Sequence, residues 1–225
     1  AQRLAEFKPL SWEEAIEATM QLAQGLDFAH SRGWVHGAAT PENIYLSAEL
    51  GAVLSGLALS GLTIQNLIEE ETEVERIQRA RYLAPEIWQG QPLSAASDQY
   101  ALACILVEML TGKPLFDGAS VEEIRAQHLS ALKLPHTWPP GTPWQIELAL
   151  ERALAQQPTL RYASVSEFAA APQQLAALTA SDEQERQRRA ELALQRRAAE
   201  EEAQRAAEEA ARLAALEQAK RELGE

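Results

Sequence analysis

Few side chains in this sequence have the type and spacing that chemistry needs. His36, Thr40, Glu42 and Asn43 fall in one short stretch, His36-Gly37-Ala38-Ala39-Thr40-Pro41-Glu42-Asn43, and Ser55 follows further on. Together they offer an imidazole, two hydroxyls, a carboxylate and a carboxamide. Asn43 would give a cation only a neutral oxygen. Magnesium is a hard ion that takes anionic oxygen. Thr40, Glu42 and Ser55 read most simply as solvated loop residues or turn caps. The one cysteine, Cys104, sits in an apolar run, which excludes a disulfide framework and a cysteine-built metal site. A reducing compartment, the cytoplasm, fits this usage.

The elements that must position these residues are mostly helical. The 225 residues suffice for one domain with a core plus an appendage. A net charge of −13 repels phosphate backbones and anionic headgroups, so nucleic acid and membrane surfaces are not expected partners. No run reaches the roughly 18–20 apolar residues of a membrane span. The chain opens Ala1-Gln2-Arg3, without Met or a signal-peptide pattern, so its natural start is expected to lie elsewhere.

Ser11-Trp12-Glu13-Glu14 reads as a capping box that starts a helix running to about His30. Ala15, Thr19, Leu22, Ala23, Leu26 and Ala29 share one face of it, and Ser31-Arg32-Gly33 ends it with a left-handed glycine. Trp34 to Leu46 reads as loop, 52–59 as a small strand or hairpin, and 60–80 as an exposed segment. Ser97-Asp98 opens a helix through Leu110 that is apolar on nearly all sides and stops at Gly112 and Pro114, the pattern of a buried central helix. Further helices are expected at 120–132, 143–156 and 164–178.

Residues 1–180 hold every Trp, Tyr, Phe, Pro and His, whereas 181–225 are almost entirely Ala, Glu, Arg, Gln and Leu. Ser181-Asp182-Glu183-Gln184 is a second capping box. Acids stand four residues before bases at Asp182/Arg186, Glu185/Arg189, Glu201/Arg205, Glu208/Arg212 and Glu217/Arg221. A continuous helix here would be about 65 Å long. Its seam of Leu192, Ala199, Ala206 and Leu213 buries little area, so self-association through it would be weak.

Leu26-Asp27-Phe28-Ala29-His30-Ser31-Arg32-Gly33-Trp34-Val35-His36 resembles the entry to the catalytic loop of eukaryotic-like Ser/Thr protein kinases, and four further motifs follow in family order. His36, Pro41, Glu42 and Asn43 match the family's H-R-D-L-K-P-E-N. Tyr82-Leu83-Ala84-Pro85-Glu86 resembles the A-P-E element. Ser97-Asp98-Gln99-Tyr100, with Glu108-Met109-Leu110-Thr111-Gly112-Lys113-Pro114, resembles the central helix of the C-lobe. Pro158-Thr159-Leu160-Arg161-Tyr162 resembles the connection that carries the family arginine. The resemblance implies a mainly α fold: a protein-kinase-like C-lobe over 1–180, without the N-lobe, followed by a long helix over 181–225. It also implies that Glu86 pairs with Arg161, that Asp98 accepts backbone N–H bonds from the catalytic loop, and that His36 packs beneath that loop. The source it suggests is bacterial.

The departures from the family fall where its chemistry is done. The catalytic aspartate position is Ala38, the neighbouring lysine is Thr40, and the arginine that anchors an activation-loop phosphate is Gly37. The metal-binding aspartate of D-F-G falls on Gly56 in the register Gly56-Leu57-Ala58, or on Ser55 one residue earlier. Asn43 is left as a vestigial metal ligand. The family's glycine-rich loop, strand lysine and partner glutamate belong to the N-lobe. The resemblance therefore implies a pseudokinase module in signalling, with no catalytic residue, no cofactor and a protein partner. Its candidate surfaces are 60–80 and Val121, Ile124, Leu129 and Leu132, for which a core role is the stronger reading. One alternative is an ATP-dependent kinase or rewired transferase that uses Mg-ATP. The other is a helical spacer or oligomerisation element.

Overall fold

The first helix shows how local sequence sets the frame. In the computed structural model, which describes residues 2–4, 8–47, 49–56, 72–135, 138–178 and 180, helix α1 spans Trp12–His30. Ser11 Oγ accepts from the Glu14 N–H at 3.2 Å and Glu14 Oε2 accepts from the Ser11 N–H at 3.0 Å. This reciprocal cap satisfies two amides that a helix start leaves open. The face carrying Ala15, Thr19, Leu22, Ala23, Leu26 and Ala29 is buried, joined by Ile16 and Ala18. The C-cap is Ser31 in right-handed conformation; the left-handed turn comes at Gly33, just beyond it.

A small antiparallel sheet follows, in the order β1 (Gln2–Arg3), β2 (Ile44–Ser47), β3 (Gly51–Leu54). Ile44 pairs with Leu54 and Ser47 with Gly51. The strand expected at 52–59 is present at 51–54, but its partner β2 falls in residues read as loop. Four residues are too few to display alternation. Gln21 Oε1 on α1 accepts from the Ala52 N–H at 2.6 Å and ties β3 to the helix.

The segment 60–80, read as exposed, carries a helix whose first turn is exposed. Residues 57–71 lie outside the described ones, but Glu73–Ala80 forms helix α2, capped by Thr72 and Glu75 in a second reciprocal box. Its two acids and two arginines, following Glu69-Glu70-Glu71, hid the cap in a charge run. Helix α3 (Pro85–Trp88) is a single turn.

The central helix α4 spans Ala95–Thr111. It begins earlier than the sequence suggests, because Ser94 rather than Ser97 is the N-cap: Ser94 Oγ accepts from the Ser97 N–H and Ser97 Oγ from the Ser94 N–H. It ends at Gly112, as expected. Every residue from Ser97 to Val107 is buried, so the helix is enclosed by the lobe on all sides. Helix α5 (Val121–His128) is shorter than the expected 120–132, and α6 (Trp144–Ala153) and α7 (165–178) complete the order. Among the surface candidates on α5 and beyond, Ile124 is fully buried and Leu129 is exposed.

Ala1–Leu175 form one compact unit. Of the second, Ala176–Glu225, the structure describes 176–178 and 180; the Ser181 capping box and the heptad seam lie outside the described residues. No helix among the described residues is long and apolar enough to cross a membrane.

His128 joins three elements. Its Nε2–H donates to the Ala80 carbonyl at 2.9 Å, its Nδ1 accepts from the Tyr100 hydroxyl at 2.9 Å, and its ring lies 4.0 Å from that of Phe116. This arrangement is complete only for the neutral ring. Burial lowers its pKa to about 4. The unfolded chain therefore binds a proton that the folded one refuses, and stability falls as pH drops from about 6.5 towards 4. His128→Asn should flatten that acid limb in denaturant titrations, removing up to roughly 3 kcal/mol of pH dependence. An unchanged slope would assign it to other groups.

Candidate functional site

The stretch from His36 to Asn43 has no long regular structure of its own, so its shape must come from outside. Asp98, in the first turn of α4, provides it. Asp98 Oδ2 accepts from the His36 N–H at 2.8 Å and Oδ1 from the Gly37 N–H at 2.7 Å. The carboxylate is 1 % exposed, and a buried charge persists only with such partners. A third contact comes from His30 at the end of α1, whose Nε2 lies 2.7 Å from Asp98 Oδ2.

The His36 ring is buried beneath the loop. Its Nδ1 accepts from the Ala38 N–H at 3.3 Å and its Nε2–H donates to the Ser55 carbonyl at 3.0 Å. The loop then closes through Asn43. Asn43 Nδ2 donates to the Ala38 carbonyl at 3.0 Å, and the Asn43 carbonyl accepts from the Ser55 N–H at 2.8 Å and Ser55 Oγ at 3.0 Å. The Ser55 hydroxyl is therefore engaged next to the Ile44–Leu54 end of the β2–β3 pairing. Thr40 is buried and precedes the short 3₁₀ turn Pro41–Asn43 without a side-chain cap bond.

Two glycines mark the loop. Gly37 has φ 71°, and a Cβ there would lie 2.5 Å from Leu93 Cδ1. Gly56 has φ 84°, and its Cβ would face Asn43 Nδ2 at 3.7 Å. Both are left-handed positions where a side chain is strained, and only Gly37 is also crowded. Facing Ala38, a cavity of about 10 Å³ is lined by Arg79, Tyr82, Leu93 and Asp98. Among the described residues no three His, Cys, Asp or Glu side chains come together as a metal site.

Glu42 acts elsewhere, alongside Tyr82 and Glu108. The Tyr82 hydroxyl donates to Glu108 Oε2 at 2.5 Å. Burial, foremost, raises the Glu108 carboxyl above its ordinary range and the Tyr82 phenol likewise. Cys104 is buried, which pushes its thiol up and leaves it unreactive.

Glu86 and Arg161 form a buried fork: Nη1 to Oε1 and Nη2 to Oε2, both 2.7 Å. Arg161 also donates to the carbonyls of Ala96 and Ala155 at 2.8 and 2.9 Å. One guanidinium thus binds α3, the start of α4 and the connection before α7.

The sequence argument did not assign roles to His30 or Asp27. Asp27 caps α7, accepting from the Val165 and Ser166 N–H groups at 3.1 and 2.9 Å. Both residues stand in the quoted stretch Leu26–His36, but their partners are 68 and about 138 positions away, beyond any spacing rule.

The loop, its aspartate support and the Glu86–Arg161 fork occur in the order of a kinase C-lobe, and the profile of the family described as Protein kinase domain matches residues 1–193. The chain belongs to the protein kinase family. It is 31 % identical over 176 residues to the serine/threonine-protein kinase PknE of Mycobacterium tuberculosis, covering 78 % of this chain and 30 % of that protein. It is 32 % identical over 167 residues to PknB of Mycobacterium leprae, covering 72 % of this chain and 26 % of that protein. PknH of Mycobacterium bovis is similar over 75 % of this chain and 28 % of its own length, at 31 % identity. The kinase relatives are bacterial, and the chain spans less than a third of each.

The Glu86–Arg161 fork generates a stability prediction. Arg161→Met would leave Glu86 buried without its partner, at a cost of about 3–5 kcal/mol. The double variant Glu86→Met with Arg161→Met should be less destabilised than Arg161→Met alone in urea titration. Additive losses would show that the two side chains act independently.

Proposed function

We propose that this part of the chain is a kinase C-lobe that has kept its loop architecture and lost phosphoryl transfer, and that it serves as a protein-binding module in signalling. The observation that carries the reading is Ala38. It occupies the family's catalytic aspartate position in a loop whose backbone is held at both ends, by Asp98 and by Asn43. A methyl group cannot orient a substrate hydroxyl or take its proton.

The second support is Gly56. The Cβ direction at this residue faces the Asn43 carboxamide, which favours Gly56 over Ser55 as the D-F-G aspartate position. Asn43 would then lack the anionic second magnesium ligand that the family has at that position. Ser55 and Thr40 do not replace the lost groups: the Ser55 hydroxyl donates to a carbonyl and Thr40 is buried. Gly37 leaves an activation-loop phosphate without its usual cation.

A working kinase is the second reading, favoured by relatives named as serine/threonine-protein kinases. It would require the proton of the substrate hydroxyl to leave without help from position 38.

Phosphate transfer from Mg-ATP to a generic basic substrate, measured on the full-length natural protein, separates the two. The expected result is incorporation equal in wild type and Asn43→Ala. Transfer by the wild type that Asn43→Ala abolishes, with the fold intact by circular dichroism, would establish the working enzyme.

A further inference from the structure

Asp98 and Asp27 hold different parts of the lobe. Asp98 holds the loop through the His36 and Gly37 amides, and Asp27 holds the first turn of α7 through the Val165 and Ser166 amides. His30 stands between them. Its Nε2 is 2.7 Å from Asp98 Oδ2 and its Nδ1 is 3.7 Å from Asp27 Oδ1. Nδ1 is buried and has no hydrogen-bond partner.

The two charge states of the ring differ sharply here. In the neutral ring with Nε2–H donating to Asp98, the bare Nδ1 lone pair faces the Asp27 carboxylate. In the imidazolium both nitrogens carry protons and each proton faces a carboxylate. The other titratable groups of 31–40 are engaged elsewhere. Arg32 lies 3.6 Å over the Phe28 ring, and the His36 ring is fixed between the Ala38 N–H and the Ser55 carbonyl. From α1 and α4 the charged groups acting on His30 are Asp27 and Asp98. α7 is linked to His30 through Asp27, which accepts its Val165 and Ser166 amides.

We propose that protonated His30 is a strut that couples the catalytic loop to α7, and that losing the proton loosens both attachments together. The idea does not depend on whether the lobe transfers phosphate. It gives the lobe a pH-sensitive joint between its loop and its last helix.

The direction of the effect follows from linkage. The hydrogen bond to Asp98, above all, raises the His30 pKa above its ordinary 6.5. Burial pushes the Asp27 carboxyl up, but its bonds from Ser166 and Val165, with the His30 charge, outweigh this and hold it below its usual range. A raised histidine contributes stability that is complete below the unfolded value and is lost as pH rises through the folded value. The joint therefore loosens on the alkaline side, opposite to His128.

Imidazole titration by NMR, with hydrogen-exchange protection of the Gly37 and Ser166 amides from pH 5.5 to 8.5, tests this on the full-length protein. Protection at both amides should fall in one step centred on the His30 pKa, by about tenfold per unit of pKa elevation. Asp27→Asn keeps an acceptor for α7 but removes the charge, so it should lower the His30 midpoint and shrink the step at Gly37. His30→Gln should remove the step. A His30 pKa at or below 6.5, or constant protection at either amide through its titration, would overturn the proposal.

Discussion

The lobe depends on one buried carboxylate. Asp98 cannot be solvated where it sits, so it must be satisfied by protein donors, and those donors are the amides of His36 and Gly37. The need runs both ways. The loop has no regular structure to fix its backbone, and α4 offers a fixed acceptor because it is enclosed along its length. Removing this anion would leave two loop amides and the His30 ring without a partner at once. The loop is held by its own amides on Asp98 and by the Asn43 carboxamide, so its course does not depend on the side chain at position 38.

Charge is buried elsewhere only where it is paired. Glu86 and Arg161 meet as a planar fork, the geometry in which a guanidinium loses least on leaving water. His128 takes the other course and stays neutral, with both nitrogens engaged. These contacts tie α2, α3 and α5 to α4 and brace the lobe from within. Two side-chain positions of the loop region have no such duties. Ala38 has no polar side-chain atom, and Gly56 makes no side-chain contact.

Much of this was legible in the sequence, because its signals were local or came as ordered motifs. The Ser11 cap and the apolar face of α1 are read within one helix, and the apolar stretch 101–110 could only be a buried helix. Glu86 with Arg161, and Asp98 with the loop, came from motif resemblance; both contacts stand in the structure. What stayed hidden was short or distant. β2 has four residues, α2 hides its cap in a run of acids, and the box that caps α4 has Ser97 where a glutamate or glutamine is the commoner signal. His30 and Asp27 act on residues far along the chain, and no periodicity points to such partners.

The proposal turns on whether a loop held in kinase form still binds magnesium beside a nucleotide. Thermal unfolding of the full-length protein with ATP, in the presence and absence of magnesium, tests it most directly. Ligand at about 100 times its dissociation constant adds roughly 2.7 kcal/mol, and each kcal/mol moves the midpoint of a domain this size by about 2–4 °C. The account predicts that magnesium adds no shift. A magnesium-dependent rise of several degrees would contradict it, showing that anionic ligands outside the Asn43–Gly56 pair complete the site.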